Sequence, residues 1–420
     1  LDRKGLPKSA LEIVMKIYSS AQKDNNGPQV IKSMIYIMKY NSYLQEDDYV
    51  SALAGLQKMA AESAAPQKQM IHSIIAEVYW GYYSSNRWKF YGRTQTVNFK
   101  NDDIRTWDLK TISQEITKHY LLSLTNSDYT KTVSIKSYDD ILVSYNNTRH
   151  LRPSVYDFLA HRAIDFFSNT EFDVTKPANS FKLDNADYFS DMKKFNQLEL
   201  STTDTLSTKF HALKTLQNLS KFHENDKDTS VIVDIELKRL RFVKNYSVSD
   251  NKDTLYYIAL QNLLTKYVKH HSAAEVSYEI ARYHNERGSR YNALLGEDYK
   301  WDNQIAVKIC DETVKKYPDA YGSFMCKQLK VTIQQKSVNF RAEDVAVPGE
   351  PSKIIITSKN IDKLYFRIIK PGWDFNNNES YDQEDLIKKY KEFKPVHAWE
   401  QDMKDDKDFN SHNLEIKIPA

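Results

Sequence analysis

A helical region followed by a smaller antiparallel β-domain is the architecture this chain predicts, on three observations. Apolar residues recur at helical spacing from residue 9 to about 334. Several of those runs echo one another, the mark of stacked helix pairs in an α-solenoid. After Lys336 the period shifts to two, with Pro and Gly bracketing short β-branched runs. The expected domains are therefore 1–332, helical, and 333–420, β.

Taken in order, "SALEIVMKIYSSA" places Leu11, Val14, Met15, Tyr18 and Ala21 on one helical face, and Gly27-Pro28 breaks the run before a second helix, "QVIKSMIYIMKY". Ser51, Ala52, Leu53, Leu56 and Met59 then repeat Ser9, Ala10, Leu11, Val14 and Ile17 at an offset of 42, with a looser echo at Ala212, Leu213, Leu216 and Leu219. Ile71, Ile74, Ile75, Val78 and Tyr79 begin a further helix. The segments from about 92 to 136 and from 169 to 185, rich in Asn, Asp, Thr and Ser, read as loops. "RPSVYDFLAHRAIDFF" is a firm helix with Pro153 at its start. "AVKICDETVKKYPDAYGSFMCKQLKV" carries the small-residue, aromatic and proline punctuation of one tetratricopeptide helix running into the next. In the β-domain Ile354, Ile356 and Ser358, then Leu364, Phe366 and Ile368, alternate with polar residues, as strands with one buried face do. An insert near 376–393 contains "QEDLIKKYKEF", expected to be a short surface helix.

Composition narrows the function. With 41% hydrophobic and 27% charged residues in 420, the chain can bury a sizeable core. The net charge of +3, from 59 basic and 56 acidic residues, gives no global field toward nucleic acid or anionic membrane. No apolar run reaches the eighteen residues a membrane helix needs. Ten glycines form no phosphate-binding loop, and there is no HExxH or GxSxG. His270 and His271 are adjacent and diverge on a helix. The pairs Asp47-Asp48, Asp102-Asp103 and Asp139-Asp140 sit where helix starts are expected, as helix-dipole partners. Cys310 and Cys326, with no CxxC pattern, read as small buried hydrophobes. "CDET" at Cys310 has Thr313 where a thioester requires the acyl-donating Gln. No catalytic, cofactor-binding or metal-ligating residue is assigned, and the chain is read as non-enzymatic.

One stretch stands out. "YWGYYSSNRWKFYGRTQT", residues 79–96, interleaves seven aromatic rings with Arg87, Lys89 and Arg93. The first reading is packing, with the rings closing a helical hairpin and anchoring the following loop. On that reading Trp88→Ala lowers thermal stability. The second is a protein-interaction surface, with Trp88, Tyr91 and Arg93 as the candidate residues, because Trp, Tyr and Arg dominate interface hot spots. Stacking on bases or sugars is the third.

"GLPKSALEIVMKIYSSA", "IIAEVYWGYYSSNRWKFYGRTQT", "DDIRTWDLKTISQEI" and "NTRHLRPSVYDFLAHRAIDFF" resemble the N-terminal helical region of the large alpha-2-macroglobulin-like envelope proteins of Bacteroidetes, in collinear blocks from about 5 to 170. "VAVPGEPSKIIITSKNIDKLYFRIIK" is similar to the opening strands of a macroglobulin-type β-sandwich, and "AWEQDMKDDKDFNSHNLEIKIPA" to the tract before its closing strand. The resemblance implies a helical appendage plus a first macroglobulin-like sandwich. The Gly-x-Tyr strand expected next in such domains does not follow that tract, so the expected sandwich lacks an edge or borrows one. Both ends read as cuts in a longer protein. The function implied is that of a scaffold within a protease trap or envelope defence factor, periplasmic or outer-membrane associated. Its partners would be the rest of its own chain, proteases or other envelope proteins. The alternative is a tetratricopeptide-type adaptor with an accessory β-domain.

Overall fold

A computed structural model describes residues 1–44, 49–91, 103–143, 148–172, 179–343, 345, 347, 349–370, 383–403 and 406–418. The described chain is mostly helical, with a small antiparallel β-region at its C-terminal end. The helices are α1 (Pro7–Lys23), α2 (Gly27–Leu44), α3 (Tyr49–Glu62), α4 (Gln67–Tyr91), α5 (Leu109–Ser123), α6 (Ser127–Thr130), α7 (Val155–Phe167), α8 (Met192–Gln197), α9 (Thr208–His223), α10 (Thr229–Tyr246), α11 (Lys252–Tyr267), α12 (Ala273–Gly288), α13 (Asp302–Lys316) and α14 (Tyr321–Gln334). Strands β1 (Ser337–Ala342), β2 (Ser352–Lys359) and β3 (Lys363–Ile369) follow, then α15 (Gln383–Glu392), β4 (Pro395–Asp402) and β5 (Ser411–Ile418). No helix among the described residues is long and apolar enough to cross a membrane.

The chain forms two compact units, Leu1–Asn262 and Leu263–Ala420, which divide inside α11. The change from helix to strand falls elsewhere, between Gln334 and Ser337, so α12 to α14 belong with the strands.

In the first unit α1 pairs with α2, α3 with α4, and α4 with α5, while α7 packs on α4, α5 and α9. α5 corrects the loop expected over 92–136. Leu109, Ile112, Ile116 and Tyr120 are all buried at helical spacing, and Asp108 caps the helix by accepting from Thr111 N–H at 2.7 Å. Interspersed Thr, Ser and Lys diluted that signal. α7 starts on a reciprocal cap: Ser154 Oγ accepts from Asp157 N–H, and Asp157 accepts from Ser154 N–H at 2.8 Å. On α1 the buried residues are Ala10 and Ala21, whereas Met15, expected on the core face, is exposed. Asp103 does cap a helical turn, at Ile104–Thr106. Asp139 instead ends one and pairs with Arg149 at 2.7 Å, while Asp47, Asp48 and Asp102 lie outside the described residues.

In the second unit α12, α13 and α14 pack on one another around Ala281, Ala306, Val307, Cys310, Cys326 and Ile333. Pro318 separates α13 from α14, as the punctuation predicted. The strands form a three-stranded sheet, β1-β2-β5, and a two-stranded sheet, β3-β4, both antiparallel. Ile354 lies opposite Ile416 and Ile356 opposite Leu414, so these side chains share one face. Leu364, Phe366 and Trp399 of the second sheet pack against that face, with the Phe366 and Trp399 rings stacked at 4.9 Å. In β1 the pattern changes. Val338 and Phe340 lie opposite Ser358 and Ile356, hence on the same face, yet they are 45% and 73% exposed. The core face is therefore uncovered at the β1 edge. Asn360, in the β2–β3 turn at φ 57°, donates to Ile333 O and Gln335 O and so closes the end of α14.

Candidate interaction surface and buried polar clusters

The aromatic stretch divides between core and solvent. Tyr79, Tyr82, Tyr83 and Phe90 are buried on one face of α4. Tyr83 and Phe90 meet edge-on at 5.4 Å, Tyr79 stacks on Trp107 at 5.3 Å, and half-buried Trp80 packs against Phe166 and Phe172 at 5.6 and 5.7 Å. Arg87 pairs with Glu171 at 3.1 Å, and the Tyr83 hydroxyl donates to the same carboxylate. These contacts are the expected packing role.

Trp88 is different: it is 73% exposed, with Lys89 Nζ 5.2 Å from its ring centroid. Tyr91 is 58% exposed. The expectation that Trp88→Ala lowers thermal stability gains no support, because most of the ring stands in solvent and has little buried area to lose. Trp88 and Tyr91 thus share the exposed end of α4, whereas Arg93 lies outside the described residues. Helical arithmetic held the signal. Trp88 precedes buried Phe90 by two positions, about 160° around a helix at 100° per residue, both beyond the non-helical Asn86.

Beside Trp80 a cavity of about 260 Å³ is walled by Glu77, Tyr120, Arg162, Asp165 and Phe166. Its polar groups engage one another. Arg162 donates through Nε to Ser73 Oγ at 2.9 Å and through Nη2 to Glu77 Oε2 at 3.1 Å, and Tyr120 OH donates to Glu77 Oε2 at 3.1 Å. Burial, then the Glu77 charge, raises the Tyr120 phenol.

Sequence reasoning missed the buried polar clusters, because each joins residues far apart in the chain. His223 Nε2 lies 2.6 Å from Asp157 Oδ1 and its Nδ1 2.6 Å from Asp226 Oδ2. A ring flanked by two carboxylates donates from both nitrogens and is an imidazolium. Burial alone pushes its pKa down, but Asp157 and then Asp226 outweigh it and the net shift is upward. Ser154 Oγ donates to Asp157 Oδ2 at 2.7 Å. The order is thus Ser–Asp–His, with the carboxylate between hydroxyl and ring. A nucleophile needs the opposite order, with the imidazole next to the hydroxyl. The chain of bonds ties the start of α7 to the end of α9.

Arg239, 1% exposed, donates to Tyr188 O at 2.5 Å, to Ser190 O at 2.8 Å and through Nε and Nη2 to Glu236, fastening the 188–190 segment to α10. Cys310 and Cys326 are free thiols buried in the helical core of the second unit. The hydrogen bond between them and their burial push the Cys310 thiol up, the reverse of what a reactive cysteine needs.

No family model, no curated protein and no solved structure matches the chain at a significant level.

Proposed function

We propose that the chain is a non-catalytic scaffold and interaction segment of an alpha-2-macroglobulin-like bacterial envelope protein, serving protease trapping or envelope defence. In this reading the helix pairs form a tetratricopeptide-like solenoid and the strands an incomplete macroglobulin-like sandwich. The observation that carries it is the β1 edge. Val338 and Phe340 extend the apolar face of the three-stranded sheet but lack the cover that β3 and β4 give its other strands. That half-covered face is what a sandwich short of a strand would leave. The order of parts, helix pairs and then facing antiparallel sheets, supports the same reading.

A second reading, a tetratricopeptide-type adaptor with an accessory β-domain, is favoured by the exposed Trp88 and Tyr91 and by the tight packing of α12 on α14. The test is methylamine labelling of the full-length native protein, with a challenge protease followed on a denaturing gel. A labelled cysteine outside this chain together with a covalent protease adduct is the expected result. If neither forms, covalent trapping is ruled out. Loss of a bound partner in Trp88→Ala or Tyr91→Ala, at unchanged melting temperature, then supports the adaptor.

A further inference from the structure

The loop between β4 and β5 holds a buried carboxylate that is only half satisfied. Asp408 is fully buried, and His412 and Asn410 are each 7% exposed. Asp408 Oδ1 accepts from Asn410 N–H at 2.9 Å and lies 2.9 Å from His412 Nε2. Its other oxygen, Oδ2, is equally buried and has no hydrogen-bond partner. A carboxylate oxygen withdrawn from water with no donor is costly, and such an atom commonly marks a missing cation or water. Asp406 and His412 supply its neighbours: one donor atom from each of Asp406, Asp408 and His412 lies within 4.8 Å of the others.

We propose that these three residues bind one divalent first-row transition ion, with Zn²⁺ as the fitting probe. Charge favours a cation. Glu297, Asp406 and Asp408 are three carboxylates, and Lys300, 2.9 Å from Glu297 and 3.1 Å from Asp406, supplies one positive charge. The carboxylates outnumber this lysine, a balance that favours a bound cation. The donor set selects the class: an imidazole nitrogen beside two carboxylates suits zinc and its neighbours, whereas calcium and magnesium take oxygen donors. In a tetrahedral zinc shell adjacent donors stand about 3.3 Å apart. The Asp408–His412 pair at 2.9 Å therefore needs only a slight opening.

The scaffold is braced from both sides. Asn410 Nδ2 donates to Lys300 O at 2.7 Å, and Asn303 Nδ2 donates to Asn410 Oδ1 at 2.8 Å and to Phe409 O at 3.2 Å. Phe409 itself packs into the core formed by α12 to α14. Zinc here would staple the β4–β5 loop. With three protein ligands, a fourth position is left for water.

The test uses tag-free protein stripped with a chelator, titrated with Zn²⁺ by calorimetry in two buffers of different ionisation enthalpy and followed by thermal melting. One equivalent bound, with a raised melting temperature, is expected. His412→Gln and Asp408→Asn should each weaken binding by at least about 100-fold, the upper end of what loss of an outer-shell partner costs. Absence of saturable binding and of any melting shift in the wild-type protein overturns the site, as does binding that persists unchanged in both variants. Because the wild-type measurement stands by itself, a variant that fails to fold leaves the proposal open to refutation.

Discussion

Phe90 and Trp88, two positions apart on one helix, have opposite fates: the first is 1% exposed and the second 73%. Phe90→Ala removes a ring wedged between Tyr82 and Tyr83 and is expected to cost about 3–5 kcal/mol in denaturant unfolding. Trp88→Ala should stay within about 0.5 kcal/mol of wild type. Equal losses would place both rings in the core. Arg239 tests a different force. Its guanidinium meets Glu236 through two nitrogens and two backbone carbonyls, Tyr188 O and Ser190 O, while lying 4.5 Å from the Phe195 ring centroid. A lysine cannot reproduce that planar fork. Arg239→Lys keeps a charge beside Glu236 but leaves Tyr188 O and Ser190 O short of donors, so it is expected to lose about 1–3 kcal/mol. A loss under about 1 kcal/mol, the range of solvent-exposed ion pairs, would show that water replaces the guanidinium readily.

At the scale of elements, close approach explains one glycine and leaves another free. A Cβ on Gly322 would stand 2.2 Å from the backbone carbon of Ala274, so α14 lies against α12 only because residue 322 has no side chain. Gly55, within α3, has nothing within 4 Å of the same position. Gly322→Ala should thus lower the melting temperature by forcing those helices apart. Gly55→Ala should stabilise by about 0.4–1 kcal/mol through lost unfolded-state freedom. If both substitutions stabilise, α12 and α14 do not pack as described. The elements themselves were legible where period two holds: Ile354, Ile356 and Ser358 are buried while Ile355 between them is exposed, and "QEDLIKKYKEF" forms α15. α5 was not legible, since its buried face of Leu109, Ile112, Ile116 and Tyr120 is set among polar residues. The Asp408–His412 cluster was hidden for another reason. Its spacing of four residues also suits one helical face, but here the residues sit at a loop and strand entry, where only the fold brings Asp406 alongside. Trp88 was legible but was averaged into its aromatic neighbours.

For the whole molecule, the buried imidazoles of the first unit set how it responds to acid. His72, His119, His161 and His211 all lie in the first unit, and burial is the leading cause that holds each below the ordinary value of 6.5, His119 at about 3. His161 is further held down by Lys238 and Arg152, 3.1 and 3.3 Å from its Nδ1. A group with a depressed folded pKa is neutral in both states above about pH 6.5. Below that the unfolded chain takes up protons that the folded one refuses, and stability falls with pH until the folded pKa is reached, near 3 for His119. His223 acts in the opposite sense. Its raised pKa gives stability that is fully present below about 6.5 and is lost as pH rises through the folded value. His223 opposes the other four, but with His119 held near 3 and His161 well below 6.5 the depressed groups dominate, so acidification should weaken the first unit. Calorimetry of the whole chain is expected to resolve two transitions at pH 7.5. Lowering the pH to 5 should move the one belonging to residues 1–262 downward, by ~2–4 °C for each kcal/mol lost. His119→Phe keeps a ring in that core but removes its titration, and should shrink the shift, whereas His223→Phe should enlarge it. A first-unit transition that does not move between these pH values would mean that the buried rings protonate without unfolding, and that water reaches His119 and His161 while the helices stay packed.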